Sequence, residues 1–487
     1  MIDAMSDLQD QAPMTFDLLE GDTPHEECGV FGIMAPNEDV ARLTFFGLFA
    51  LQHRGQESAG IASSDGTDIH AFTHLGLVSQ AFREEDLQKL DGEIAIGHTR
   101  YSTTGSNNEC NAGPMLATST CGDIAVAHNG NLVNSGALRN ELMAQGEVFI
   151  TTTDSEVLTR LIALSPGETI VEKIQSAMLK MEGAYSLAIM TRDRLLAVRD
   201  PLGVRPLCLG KFNNNWVVAS ESSALMTIGA EFVREVVPGE IVEITRSGAT
   251  SHRGGNPRTP AMCLLEFIYF ARPDSLIAGK RLHLTRQRLG AQLAIEAPAD
   301  GDIVVGLPDS ATPAAIGYAQ QSGIPYSEAL VKNRYIGRTF IQPDQRLRET
   351  GVSLKFNALP EVLEGKRVIL VDDTIVRGTT SRPIVELLRK AGAREVHMRI
   401  TAPPIMWPCY LGVDLASRSE LIAARMTVPE IGRHIGVDSI QYLSLDGLTE
   451  AIGNGQSGFC TGCFTGRYPV EIDLTQTKYA LEELAAV

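Results

Sequence analysis

Two patterns of hydrophobic and polar positions divide the chain. From Cys28 the run CGVFGIMA sets Val30, Ile33 and Met34 among small residues, which predicts a short buried strand. Short alternating segments of this kind continue to about residue 260. Beyond it, apolar strand runs are each followed by a helical stretch: DIVVGLP (302–308) precedes AAIGYAQQSGIPY, and KRVILVDD (366–373) leads through a loop into SRPIVELLRKAGA. Strands alternating with helices predict a parallel α/β sheet with ligands at the carboxyl ends of its strands, where Asp372 and Asp373 fall. The stretch SHRGGNPRTP (251–260) is the expected boundary, giving domains at 28–258 and 259–470 and a C-terminal tail at 471–487.

Composition narrows the chemistry. Lys and Arg number 42 against 59 Asp and Glu, a net charge of −17, so the 487-residue chain has no electrostatic reason to coat nucleic acid or an anionic bilayer. No apolar run approaches the roughly 18 residues of a membrane-spanning helix. Eight cysteines are too sparse for a secreted disulfide scaffold, and a cytoplasmic setting is expected. Residues 1–27 carry eight acidic side chains and no Lys or Arg, unlike a signal or transit peptide, and read as a poorly ordered acidic extension.

A cysteine opening a strand is, by itself, more often a small core residue than a nucleophile. Downstream, however, LFALQHRGQESAGIA (48–62), GHTRYSTTG (97–105), AHNGNLVN (127–134), TTTDSEVL (151–158) and RDPLGVRPL (199–207) follow in order. In sequence and spacing this set resembles the class II, N-terminal-nucleophile glutamine amidotransferases over about 28–250. The resemblance implies an α+β domain built as a four-layer αββα sandwich. Hydrolysing a side-chain amide needs a nucleophile, a base, donors for the tetrahedral oxyanion and a clamp on the amino-acid head. By resemblance Cys28 supplies the thiol and, once residues 1–27 are removed as a propeptide, its own α-amine as base. Asn129 and the Gly130 N–H would form the oxyanion hole, Arg100 would bind the substrate carboxylate and Asp154 its ammonium. Taken singly, Asn129-Gly130 reads as a hairpin turn, Arg100 as a surface ion pair and Asp154 as a helix N-cap. His53 and Arg54 are given positioning or structural roles only.

In VILVDDTIVRGTTS a buried strand delivers Asp372 and Asp373. Thr374, Arg377, Gly378, Thr379 and Thr380 then offer hydroxyls, a cation and backbone donors at a helix N-terminus, a natural anion site. No Walker A motif is present. The stretch is similar to the phosphoribosylpyrophosphate (PRPP) motif of type I phosphoribosyltransferases, which implies an α/β fold. That resemblance further implies Mg²⁺ held near Ser310, Asp372 and Asp373, and a substrate lid in KNRYIGRTFIQP (332–343), with Lys332 and Arg334 contacting PRPP.

Cys460 and Cys463 form CTGC, with Cys263 and Cys409 as distant partners; spacing alone leaves a zinc site, an iron-sulfur cluster or a redox pair open. The surrounding segments resemble those of PRPP-using amidotransferases that carry a propeptide and a structural [4Fe-4S] cluster. Cys110, Cys121 and Cys208 show no partner pattern. The two domains in one chain imply an enzyme that moves ammonia from glutamine to PRPP, giving 5-phosphoribosylamine, glutamate and pyrophosphate, at the first step of purine synthesis. A homotetramer with feedback inhibition by purine nucleotides is a further implication of that resemblance. Rival readings are a hexosamine-forming or asparagine-forming amidotransferase, against which the motif at 368–381 argues, and a non-catalytic regulator, which would not need Cys28 or Asp372.

Overall fold

The computed structural model of the chain describes residues 28–102, 104–333, 355–415, 417–453, 458–472 and 481–482. The acidic extension at 1–27, Arg334 and most of the expected lid and C-terminal tail lie outside the described residues.

The first domain stacks two antiparallel sheets. One has seven strands in the order Glu231–Glu235, Cys208–Phe212, Asn215–Ala219, Gly29–Met34, Ile94–Arg100, Ser58–Ser64 and Ile69–Leu75. The other has six: Gly248–Arg253, Glu240–Thr245, Leu195–Arg199, Gly183–Met190, Gly122–Leu132 and Met115–Ser119. Side-chain alternation explains the layering. On the central strand Gly29–Met34, Val30 and Met34 face the other sheet and pack with Ala127, Ala188 and Val218, while Phe31 and Ile33 face the helix Val40–Ala50 through Leu48 and Leu51. Both faces are buried, so the strand reads as a continuous apolar run. The helices Asp154–Leu164 and Ile170–Met178 cover the second sheet through Val157, Leu161 and Ile174, completing four layers.

The second domain carries a parallel sheet ordered Ile303–Gly306, Arg367–Asp372, Glu395–Ile400, Ser439–Tyr442. The strand-then-helix pattern is realised: Ile303–Gly306 feeds the helix Thr312–Ser322, and Arg367–Asp372 feeds Ser381–Lys390. Pro313 sits in the first turn of one helix and Gly323, at φ +75°, ends it, the ordinary start and stop chemistry. The boundary stretch is part strand, since Gly248–Arg253 includes its first three residues. Among the described residues no helix is long and apolar enough to cross a membrane.

Ala261–Cys263, the first strand of the second domain, pairs in parallel with Gly458–Cys460 near its end, placing Cys263 opposite Cys460. The two domains share a buried seam described below.

Candidate active site

Cys28 stands at the head of the central strand of the first sheet, almost fully buried. Its thiol points at the Tyr101 carbonyl 3.5 Å away, and the Arg54 Nε donates to its main-chain oxygen at 3.2 Å. Burial pushes the thiol up to about 11; Arg100 pulls it down, whereas Asp154 and Glu57 raise it further. Arg100 and Asp154 therefore lie close enough to act on the sulfur. Arg100 is buried, and its guanidinium donates to the carbonyls of Thr104 (3.0 Å) and Ser106 (3.3 Å).

All three plain single-residue readings are corrected, Arg100 being buried on main-chain carbonyls and no surface ion pair. Asn129-Gly130 is no turn: both residues lie inside the strand Gly122–Leu132, opposite Ser186 and Tyr185. Gly130 is required there because its φ is +147° and a Cβ would collide with the Ala184 carbonyl oxygen. Asp154 is not the helix cap; Thr153 is, its hydroxyl accepting the Glu156 N–H, which leaves the Asp154 carboxylate to accept the Leu132 N–H at 2.9 Å. The side-chain amide of Asn129 is fully buried, and neither its oxygen nor its nitrogen has a hydrogen-bond partner among the described residues. Such a group costs roughly 1–3 kcal/mol unless a ligand completes it.

Behind Cys28 runs a buried charge network that sequence reasoning did not assemble. Arg54 donates to Glu221 (2.6 Å) and to both oxygens of Glu266 (2.7 and 3.1 Å); Arg205 lies 3.6 Å from Glu266. Burial alone would raise the Glu221 carboxyl, but His53, Arg54 and Ser275 hold it far below the usual carboxylate range. Glu266 belongs to the second domain, so two arginines and two glutamates balance across the domain seam. The LQHRGQ and RDPLGVRPL segments marked the arginines; nothing local marked Glu221 or Glu266.

A cavity of about 330 Å³ opens at the carboxyl ends of the parallel strands, within the range of small-ligand sites. Asp372, Ser310, Thr380 and Lys332 line it, and so does Ser381 at a helix N-terminus. Asp373 is turned inward, accepting from Ser310 and, at 3.0 Å, from the Thr374 hydroxyl; burial pushes its carboxyl up. Arg377 reaches away to Glu420 at 3.0 Å, while Gly378 adopts φ +77°. Thr379 is exposed. The cavity also contains Arg286, Lys355 and, from the first domain, Gln56, none of them singled out from the sequence, together with His53, for which only a positioning or structural role was expected. Arg286 is buried, donating to the carbonyls of Phe267 (3.0 Å) and Ala271 (2.7 Å), and burial lowers it to about 10.

The four expected cluster cysteines lie on neighbouring segments. Cys263 and Cys460 are in register, the Cys463 carbonyl accepts the N–H groups of Met406 and Trp407 (3.0 Å each), and that contact brings in Cys409. All four are free thiols. Burial pushes Cys460 up to about 11 and Cys463 well above its ordinary value, with Cys263, Cys409 and Cys460 adding repulsion. Four half-buried or buried sulfurs near enough to disfavour one another's thiolate form are a donor set suited to a soft metal or cluster. Their sulfurs are gathered without being drawn to one centre: among the described residues no three His, Cys, Asp or Glu side chains form a metal-holding group.

The geometry thus defines a glutamine-amidotransferase-like thiol site joined to a phosphoribosyltransferase-like anion cavity, and comparison with known proteins agrees. A glutamine amidotransferase domain model matches residues 98–227 and a phosphoribosyl transferase domain model matches 283–402. The amidophosphoribosyltransferase of Synechocystis sp. is 51% identical over 99% of both chains, and that of Methanocaldococcus jannaschii 51% over 92% of this chain and 98% of its own. A glutamine PRPP amidotransferase from B. subtilis, solved with ADP and GMP, superposes with a TM-score of 0.88 at 46% identity, covering 92% of this chain and 99% of that one. The chain belongs to the amidophosphoribosyltransferase family.

Proposed function

We propose that Cys28 releases ammonia from glutamine and that this ammonia attacks C1 of PRPP in the Asp372 cavity, the glutamine-dependent step that opens purine synthesis. The observation that carries the coupling is that His53 and Gln56 of the first domain form part of the wall of the second domain's cavity.

In this reading the Cys28 sulfur adds to the side-chain carbonyl carbon while its proton passes to the free α-amine exposed by removal of residues 1–27. The oxyanion takes the unbonded Asn129 amide and the Gly130 N–H; as it collapses the α-ammonium returns its proton to the amide nitrogen, which leaves as ammonia, and the resulting thioester is hydrolysed by water to glutamate and the thiol. Arg100 binds the glutamine carboxylate and Asp154 its ammonium. At the second site ammonia forms the C1–N bond as the C1–O bond to pyrophosphate breaks. Asp372, with Gly378, Thr379 and Thr380, would contact ribose and phosphate, joined by Asp373 and Thr374 on release from their mutual hydrogen bond and by Arg377 on release from Glu420, while Lys332 and Arg334 would add positive charge. Phosphoribosyltransferases generally use Mg²⁺, and the oxygens of Ser310, Asp372 and Asp373 are hard donors of the right kind; when bound, the ion neutralises the departing pyrophosphate. Cys263, Cys409, Cys460 and Cys463 would hold a [4Fe-4S] cluster with a folding role. Purine nucleotides, which share the ribose phosphate of PRPP, are the proposed feedback ligands, and a homotetramer the proposed assembly.

Glutamate release by anaerobically purified protein, measured with and without PRPP and Mg²⁺, tests the reading. Strong stimulation is expected. No stimulation in protein whose N-terminus is Cys28 would mean a different acceptor.

A further inference from the structure

The seam between the domains carries a contact that touches the oxyanion glycine itself. Gly412, in the second domain, has φ +104°, and a Cβ built on it would lie 2.9 Å from both the Cα and the carbonyl carbon of Gly130. Two residues before it, the Tyr410 carbonyl accepts from the Asn131 amide at 3.0 Å, and the Leu411 carbonyl accepts from the buried Arg205 through Nε (3.0 Å) and a terminal nitrogen (2.7 Å). The Leu411 N–H donates to the Cys409 sulfur at 3.3 Å. Asn131 is tied onward: its side-chain oxygen accepts the Thr104 hydroxyl at 2.7 Å, and the Thr104 carbonyl accepts from Arg100.

From this geometry we infer that the segment Cys409–Gly412 is a positioning strap for the glutamine site. It presses Gly130 into register through Gly412 and steadies the Arg100 loop through Asn131. The inference rests on the assignment of Gly130 as an oxyanion donor and goes beyond it, because Gly412, Asn131 and Arg205 touch no reacting atom. The physical argument is one of tolerance. An oxyanion donor works only when its N–H is held at hydrogen-bond distance from an oxygen that forms late, and a displacement of a few tenths of an ångström weakens it steeply. A backbone against backbone contact between two glycines leaves no side chain to absorb such a shift. Both residues hold positive φ, so each is fixed as glycine for its own reason and the contact follows.

The test separates turnover from binding in the full enzyme. Gly412→Ala is expected to lower glutamine kcat by ~10²-fold, the size of losing one oxyanion donor. Its glutamine KM should change less than about threefold, and ammonia-dependent phosphoribosylamine formation should be preserved, with iron and sulfide content as a control. Asn131→Asp, which keeps the acceptor for Thr104 but loses the donor to Tyr410, should lower glutamine kcat in the same selective way. If Gly412→Ala also loses the ammonia-dependent activity, Asn131→Asp decides: a selective loss there upholds the strap, and none overturns it. Full glutamine turnover in Gly412→Ala overturns it outright. Asn129→Ala run alongside tells the two failures apart: full glutamine turnover in both Asn129→Ala and Gly412→Ala removes the Asn129-Gly130 oxyanion site itself, whereas full turnover in Gly412→Ala with an inactive Asn129→Ala overturns the strap alone.

Discussion

The two sites solve opposite problems. The thiol site is enclosed and preassembled: Cys28, Arg100, Asn129 and Asp154 are all buried, and Arg100, Asp154 and the Cys28 backbone are held by hydrogen bonds to or from main-chain or buried groups. The Asp372 cavity is open and charged, with Lys332 on its wall paired to Asp309 at 2.8 Å and, in the loop that follows Asp372, Arg377 paired to Glu420. A neutral amide can be recognised by a rigid pocket that leaves one amide unpartnered for it. A polyanion needs cations that can leave their resting partners, so its site is less finished without substrate. The first site holds its charged groups, Arg100 and Asp154, in fixed buried hydrogen bonds, and the second keeps its cations in ion pairs that can exchange.

Several substitutions would break or sharpen that contrast. Cys28→Ala should lower glutamine-dependent synthesis at least ~10³-fold and spare the ammonia-dependent reaction; Asp372→Ala should lose both. Equal loss of the two activities in Cys28→Ala would erase the distinction between the sites. Arg54→Met removes the cation shared by Glu221 and Glu266, leaving the first to His53 and the second to Arg205, and chemical denaturation should show a loss of ~3–5 kcal/mol, partly restored by adding Glu266→Gln. Asn129→Ala should cost ~10²–10³ in glutamine kcat while stability falls by less than ~1 kcal/mol, since no protein hydrogen bond is lost. A large stability loss would show that the amide is structural.

Titration offers a further probe. Because burial holds the Cys28 thiol near 11, it is protonated at neutral pH. In protein retaining residues 1–27, alkylation of Cys28 followed by peptide mass spectrometry should speed up about tenfold per pH unit from pH 7 to 10. In protein beginning at Cys28 the rise should level near the amine's ~7.7–8. Identical profiles would remove the amine from the mechanism. The smallest effect expected is for Thr153→Ala, a lost helix cap worth ~1 kcal/mol by thermal melt, with a modest rise in glutamine KM as Asp154 loosens.

Much of the thiol site was legible because each member sits in a contiguous motif whose residue types match one chemical task. The fold class followed from hydrophobic pattern and resemblance together. What escaped has physical reasons. Thr153 and Asp154 are adjacent residues that both cap helices well, so sequence alone could not say which one did so. Asn129-Gly130 carries a turn's composition, but pairing with Ser186 and Tyr185 overrides that preference. The Arg54 network was invisible because its members lie 167 and 212 positions apart and meet only at the seam. Arg286 and Lys355 entered the cavity through tertiary packing, with no local motif to announce them.

The parallel pairing of Ala261–Cys263 with Gly458–Cys460 sets the order in which the molecule can be made. The first domain's sheets are antiparallel and complete by Arg253, so they can form while the ribosome is still translating. The second domain is fastened by a strand that emerges nearly two hundred residues after its partner, and closing so long a loop must wait for the end of synthesis. Three of the four gathered thiols are delivered only after residue 400, which makes their union a late checkpoint in the birth of the protein.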